Sequence, residues 1–165
     1  MIHDFVKKTD ALKADLQKFL LSPDRWRTSR VSIPLTWQYL KFDAANRSSV
    51  PKSAGVYAFV VSHSNSHFPG HGFIMYIGIT GSNSNGRTLH LRYGDYLREQ
   101  VKNKRPKVFY MLDKYANDLQ FAFSPIEDPA IDLQALELDL NDAIIPPVVV
   151  KDFSADIRQL VKAMS

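Results

Sequence analysis

Two short stretches, "AGVYAFVV" at residues 54–61 and "FIMYIGIT" at residues 73–80, decide how this chain is read. Each is apolar, aromatic or β-branched, and no Lys, Arg, Asp or Glu occurs anywhere between residues 53 and 78. Such runs are expected as strands that lie centrally in a sheet. Between them "SHSNSHFPGHG", residues 62–72, carries Pro69, Gly70 and Gly72, the composition of a long hairpin loop. Yet each strand sets a Gly beside a Tyr, Gly55 with Tyr57 and Gly78 with Tyr76. Strand interiors disfavour glycine, and a core has no need of a second phenol. Packing alone does not account for the pattern.

Outward from this hairpin the chain alternates between two periods. "LQFAFSPI" (119–126) alternates as a third strand. Residues 3–21 repeat Phe5, Leu12, Leu16, Phe19 and Leu20 at helical spacing, which predicts a helix ending near Ser22-Pro23. "PLTWQYLKF" (34–42) reads as extended, and "DAANRSSVPKSAG" (43–55) and "TGSNSNG" (80–86) read as loops. Leu89, Tyr93, Tyr96, Leu97 and Val101 predict a helix from about Thr88, interrupted by Gly94 at a cost of roughly 1 kcal/mol. Val108, Met111, Leu112 and Tyr115 predict another. In "EDPA" (127–130), Asp128 is expected to cap a helix with Pro129 in its first turn. Leu133, Leu136, Leu140 and Ile144 continue that helix until Pro146-Pro147 stops it, and a last helix is expected over 154–164. The predicted fold is α/β (α+β): a small central three-stranded antiparallel sheet flanked by helices, with an N-terminal helical extension.

With 165 residues, 45% hydrophobic and 23% charged, the chain suits one compact domain with its own core rather than a disordered segment. No run of about 18 apolar residues exists to span a membrane. The start mixes acids and bases through its apolar positions, unlike a signal peptide, so a soluble, cytoplasmic protein without a membrane partner is expected. The absence of cysteine excludes disulfides, thiolate zinc sites and a Cys nucleophile. Any metal ligand is oxygen or imidazole.

Charge is segregated. Residues 79–107 hold seven bases, including Arg87, Arg92, Arg98, Lys102, Lys104 and Arg105, against Asp95 and Glu99. Residues 127–142 hold six acids and no base. A basic segment of this kind can track phosphates, and an acidic residue facing it can hold a cation; the plainer alternative is a pair of solvated helix faces. His63, His67 and His71 recur every four residues and invite a zinc reading. Their Ser, Asn, Pro and Gly neighbours allow no helix to align them, so a solvated or substrate-facing hairpin is the expectation.

The order "GVY" (Gly55, Val56, Tyr57), hairpin loop, "YIG" (Tyr76, Ile77, Gly78), then a helix with "LRYGDYL", resembles the GIY-YIG nuclease domain. Members include intron homing endonucleases, some restriction enzymes and the incision subunit of bacterial excision repair. Arg92 and Tyr96 match the family's Arg and its His or Tyr four residues later, a spacing that shares one helix face. "ALELDLNDAIIPPV" places Glu137 where the family carries its metal-binding Glu, with Pro146 nine residues on. The likeness covers about residues 53–149, leaving 1–52 as an N-terminal extension packed on the core and 150–165 as a C-terminal helix. Two features depart from the pattern. The segment between the triplets, residues 58–75, is longer than usual, and Val149 stands where the family's Asn often sits. Asn141 is the nearby substitute.

The resemblance implies a Mg²⁺-dependent DNA endonuclease, with Mn²⁺ as an alternative ion. Glu137 is the implied metal ligand, and Arg92 the phosphate contact. Tyr57 contributes to activating water and Tyr76 orients the water or the phosphate, with Gly55, Gly78, Tyr96 and Asn141 in support; His71, closest to the second strand, is a further supporting candidate from its position in the sequence. Arg87, Arg98, Lys102, Lys104 and Arg105 are the expected nucleic-acid contacts. A phenol with an ordinary pKa of about 10 is a poor base near neutrality and needs a neighbour to lower it. The competing expectation is a nucleic-acid-binding module that kept the scaffold without cleavage. No periodicity marks a dimer seam.

Overall fold

The computed structural model describes residues 2–63, 67–82 and 86–164; the centres of the two polar loops, residues 64–66 and 83–85, lie outside the described residues. Four strands form one antiparallel sheet: β1 (Gln38–Lys41), β2 (Gly55–Ser62), β3 (Gly72–Thr80) and β4 (Leu119–Pro125), in the order β1-β4-β2-β3. The sheet therefore has one strand more than the three predicted. The extra strand is the middle of "PLTWQYLKF", four residues pairing Gln38 with Phe123 and Lys41 with Gln120 at one edge.

The hairpin is less central than its composition suggests. β2 lies between β4 and β3, and its first five residues are buried, because cores form on both of its faces. β3 is an edge strand, covered in part by the segment after the fifth helix, whose Val148 N–H donates to Met75 O at 3.0 Å. The larger core takes Tyr57, Phe59, Tyr76, Phe121 and Phe123 together with Leu89, Tyr93 and Tyr96 of α3 (Leu89–Lys102) and Val108, Met111 and Leu112 of α4 (Pro106–Lys114). The smaller core takes Val56, Ala58, Ile77 and Ala122 with Leu133 and Leu136 of α5 (Leu133–Ile144). Alternate residues of each strand face opposite layers, so one strand serves both.

Helix boundaries follow capping chemistry. Thr88 accepts from Leu91 N–H at 3.2 Å and starts α3 where expected. Asp128 does not start α5. It accepts from Ala130 N–H at 2.9 Å in a local turn, and Asp132 caps the helix by accepting from Gln134 and Ala135 N–H. Two aspartates four residues apart both offer a cap, and the sequence does not rank them. The N-terminal helix α1 (Ile2–Ala14) stops well short of Ser22, and a short α2 (Pro23–Arg27) follows separately. Phe5, Leu12 and Leu16 stay exposed, so the apolar spacing that predicted a longer helix finds no core to pack on. The last helix, α6 (Ala155–Met164), lies where predicted.

The N-terminal region contributes to the core as well as flanking it: Phe42 and Val50 are buried, and Phe42 packs edge-on against Phe59 at 5.1 Å. Tyr93 ties this region to α3, its hydroxyl accepting from Asp43 N–H at 2.9 Å and donating to Asp43 O at 2.7 Å. Tyr93→Phe is expected to cost about 1–2 kcal/mol, measured by urea unfolding, because it removes the buried phenol that pairs Asp43 N–H, Asp43 O and Lys41 O. Gly94, the break in α3's sequence, is filled from the same direction. A Cβ there would lie 2.6 Å from Arg47 Nη2, so the guanidinium occupies the space a side chain would need.

Among the described residues no helix is long and apolar enough to cross a membrane.

Candidate active site

Strand register explains why glycine and tyrosine occur together. Tyr57 on β2 is paired directly with Gly78 on β3. A Cβ at Gly78 would lie 2.5 Å from the Tyr57 hydroxyl and 2.7 Å from Tyr57 Cζ, so the phenol lies over its cross-strand glycine. Gly55 answers a different constraint: its Cβ would stand 2.4 Å from the Ser124 carbonyl on β4. The second phenol is aimed by a bulge. Phe59 pairs with Tyr76 and Val60 with Ile74, which leaves Met75 as the extra residue and sends Met75 and Tyr76 into the same core. Tyr57 and Tyr76 then lie side by side, ring centroids 6.3 Å apart, with Phe121 against the other face of Tyr57 at 5.4 Å.

Helix α3 supplies the next layer. Arg92 and Tyr96, one turn apart, both reach Tyr57: Arg92 Nε donates to the Tyr57 hydroxyl at 2.9 Å, and the Tyr57 and Tyr96 hydroxyls share a hydrogen bond at 2.9 Å. The Arg92 guanidinium also lies over the Tyr96 ring at 5.4 Å, and Arg105 covers the same ring at 4.9 Å. Two guanidiniums thus flank one buried phenol, a favourable use of ring electrons where water is excluded. Asp95 holds the arrangement from outside, pairing with Arg87 and Arg98 and standing 3.8 Å from Arg92 Nη1. Arg87 and Arg98 are therefore tied to a carboxylate on α3, whereas Lys102 and Lys104 are exposed. Arg105 also meets Glu99, which accepts from Arg105 N–H at 2.7 Å.

The phenols are poor proton acceptors in this setting. Burial drives Tyr57 well above its ordinary pKa, aided by Tyr96 and Tyr76, and the opposing pull of Arg92 is smaller. Tyr76 is raised as well, again chiefly by burial. At neutral pH both keep their protons. Tyr57 and Tyr96 are fully buried and Tyr76 is 8% exposed, so Tyr76 is the phenol nearest solvent.

Glu137 lies on α5, beneath the opposite sheet face, yet it is coupled to this cluster. Arg92 is the smallest of the influences on the Glu137 carboxyl. The Glu137 carboxyl is pushed up to about 7, chiefly by burial and further by Asp152, with the Ile79 backbone amide and Arg92 acting the other way. Asp152 also raises Tyr76, so its charge is felt at both groups. Its position is fixed from two sides, by the Val148 bond to Met75 and by Phe153, 1% exposed in the larger core.

The structure thus brings together Tyr57, Tyr76, Tyr96, Arg92 and Arg105, with Glu137 weakly influenced by Arg92, and Gly78 makes room for them. It does not bring His71 to them. His71 precedes β3, five residues before Tyr76, or roughly 16 Å along the strand. Asn141 is fully buried on α5 with neither amide atom partnered, and Val149 packs in the larger core. Sequence reasoning missed Asp152, which follows the Pro146-Pro147 stop and lies in no motif; only folding brings it to Glu137. In comparisons with protein-family models, curated proteins and solved structures, none matches this chain.

Proposed function

We propose that the chain is a Mg²⁺-dependent DNA endonuclease that hydrolyses phosphodiester bonds through a GIY-YIG-type site, with Mn²⁺ able to replace Mg²⁺. The observation that carries the reading is the convergence of Arg92, Tyr57 and Tyr76 from three separate elements, together with a Glu137 carboxyl that burial raises and Arg92 lowers. Each alone has an ordinary structural role; a buried phenol wired to a guanidinium beside a costly carboxylate is a combination that stability does not call for.

The donor chemistry at Glu137 fits a hard divalent ion. A carboxylate whose charge is penalised by burial and by Asp152 is relieved by a cation, and oxygen donors suit Mg²⁺. Glu137 would hold the ion, with Asp152 beside it. When bound, Mg²⁺ supplies positive charge to a phosphate whose negative charge grows in the transition state. Arg92 presents its remaining guanidinium donors to a phosphate oxygen, while the Tyr57 hydroxyl, holding Arg92 Nε, fixes the plane of the fork. Tyr76, nearest the solvent, orients the attacking water by hydrogen bonding. Arg105, Lys102 and Lys104 extend the positive surface along the nucleic-acid backbone.

The full burial of Tyr57 favours a second reading, a DNA-binding module without cleavage. Fluorophore-labelled duplex, branched and single-stranded DNA incubated with the protein, in Mg²⁺ and then in chelator, separates the two. Shortened products that require Mg²⁺ are the expected result. Salt-sensitive binding with every strand intact would favour the module, and no binding at low salt would remove both.

A further inference from the structure

We propose that the neck of the β2–β3 hairpin binds a divalent transition-metal ion through His63 Nε2, His71 Nδ1 and the Pro69 carbonyl oxygen. No helix is needed to bring the two imidazoles together, because strand register does it. Ser62 pairs with Gly72 at the end of the ladder, so His63 and His71 are the next residues across from each other. Their facing nitrogens are 3.0 Å apart, and each is 3.1 Å from Pro69 O.

Hydrogen bonding closes this triangle only when a facing nitrogen carries a proton. A single proton is donated from one nitrogen to the other, and two protons are both donated to the carbonyl; with neither facing nitrogen protonated, three lone pairs face one another. A cation capping the triangle satisfies all three lone pairs at once. The size is also right: ligands about 2.1 Å from an octahedral ion are about 3.0 Å from their cis neighbours, and a tetrahedral ion separates them by about 3.4 Å. Sides of 3.0, 3.1 and 3.1 Å match one face of an octahedron.

The rings are held in place before any ion arrives. Phe68 stands edge-on to His63 at 5.8 Å and Phe73 edge-on to His71 at 5.6 Å, and Phe73 in turn packs on Phe19 at 4.9 Å. Imidazole nitrogen selects Zn²⁺, Co²⁺, Ni²⁺ or Cu²⁺ over Mg²⁺. Waters take the remaining positions, since the neck is open to solvent. Among the described residues no three His, Asp or Glu side chains cluster for a metal, so this site is of the two-imidazole, one-carbonyl kind. It is remote from Glu137 and does not depend on the nuclease reading.

The test is calorimetric titration of the untagged full chain with ZnCl₂ in a Glu137→Gln background, which removes the ligand of the other proposed ion, for that parent and for its His63→Ala and His71→Ala variants. One site is expected in the parent, weakened at least about tenfold in either histidine variant. In a separate arm, one equivalent of Co²⁺ should broaden the ring-proton NMR signals of His63 and His71 in the wild-type chain and leave His90 sharp. Absence of one-site binding, retention of full affinity in both histidine variants, or equal broadening of His90 would overturn the proposal.

Discussion

At pH 8, in the absence of divalent ions, Glu137→Gln melts at a higher temperature than the wild type. The carboxyl is pushed from its ordinary 4.5 to about 7 in the folded chain. Between those values the folded state holds a proton that the unfolded state has released, so stability falls as pH rises through the window. Above pH 7 the native protein carries a buried charge against Asp152, and Gln removes that charge while keeping an oxygen to accept from the Ile79 amide. Allowing for the solvent that reaches the group, the gain is about 1–2 kcal/mol, or roughly 3–6 °C for a chain of this size. Below pH 4.5 the two proteins should melt together. Circular dichroism melts from pH 4 to 9 measure both limits, and a variant that melts lower than wild type at pH 8 would show that the Glu137 charge stabilises the fold. Under the proposed function the same substitution removes cleavage, so stability and activity move in opposite directions, as expected where a charge is kept for chemistry.

Gly55→Ala is the substitution with the largest expected effect on folding. Its Cβ would meet Ser124 O at 2.4 Å, with Leu89 Cδ1 and Pro125 Cα at 3.1 Å on other sides. The nearest obstacle is a backbone carbonyl of β4, and Gly55 itself is paired with Pro125 in that ladder. Neither strand can retreat without opening the sheet at its centre. The loss should be about 3 kcal/mol or more, at the upper end of overpacking costs. Gly70 is the control: nothing lies within 4 Å of its Cβ, so Gly70→Ala should be neutral or stabilising by a few tenths of a kcal/mol. Guanidinium unfolding curves of the two variants, fitted with a common m-value, give the comparison. Equal midpoints would mean that β4 does not crowd Gly55.

What could be read in advance followed from the physics of each residue. β2 and β3 were legible because a long uncharged, β-branched and aromatic run has few alternatives to a buried strand. β1 was legible only as an extended segment; four residues with little burial have no signal of their own, and pairing with Phe121–Phe123 makes them a strand. α1 was read too long because apolar spacing records what a helix could bury, and Leu16 finds nothing to bury against. Within the site, Arg92 and Tyr96 could be placed on one face by their spacing. That both converge on Tyr57 depended on strand order. The glycines were noticed in the sequence, but their cause, one crowded by a carbonyl and one by a phenol, lies in contacts distant along the chain. Helix spacing cannot align the three histidines, and the hairpin register aligns two of them instead.

The most direct measurement is cleavage of supercoiled plasmid by wild type and Glu137→Gln, each in Mg²⁺ and in chelator, with both proteins shown to be folded by their melts. Nicked or linear product is expected from the wild type in Mg²⁺ alone, and at least about a hundredfold less from the variant. Plasmid left intact by the wild type in Mg²⁺, or cut equally by the variant, would contradict the proposed function.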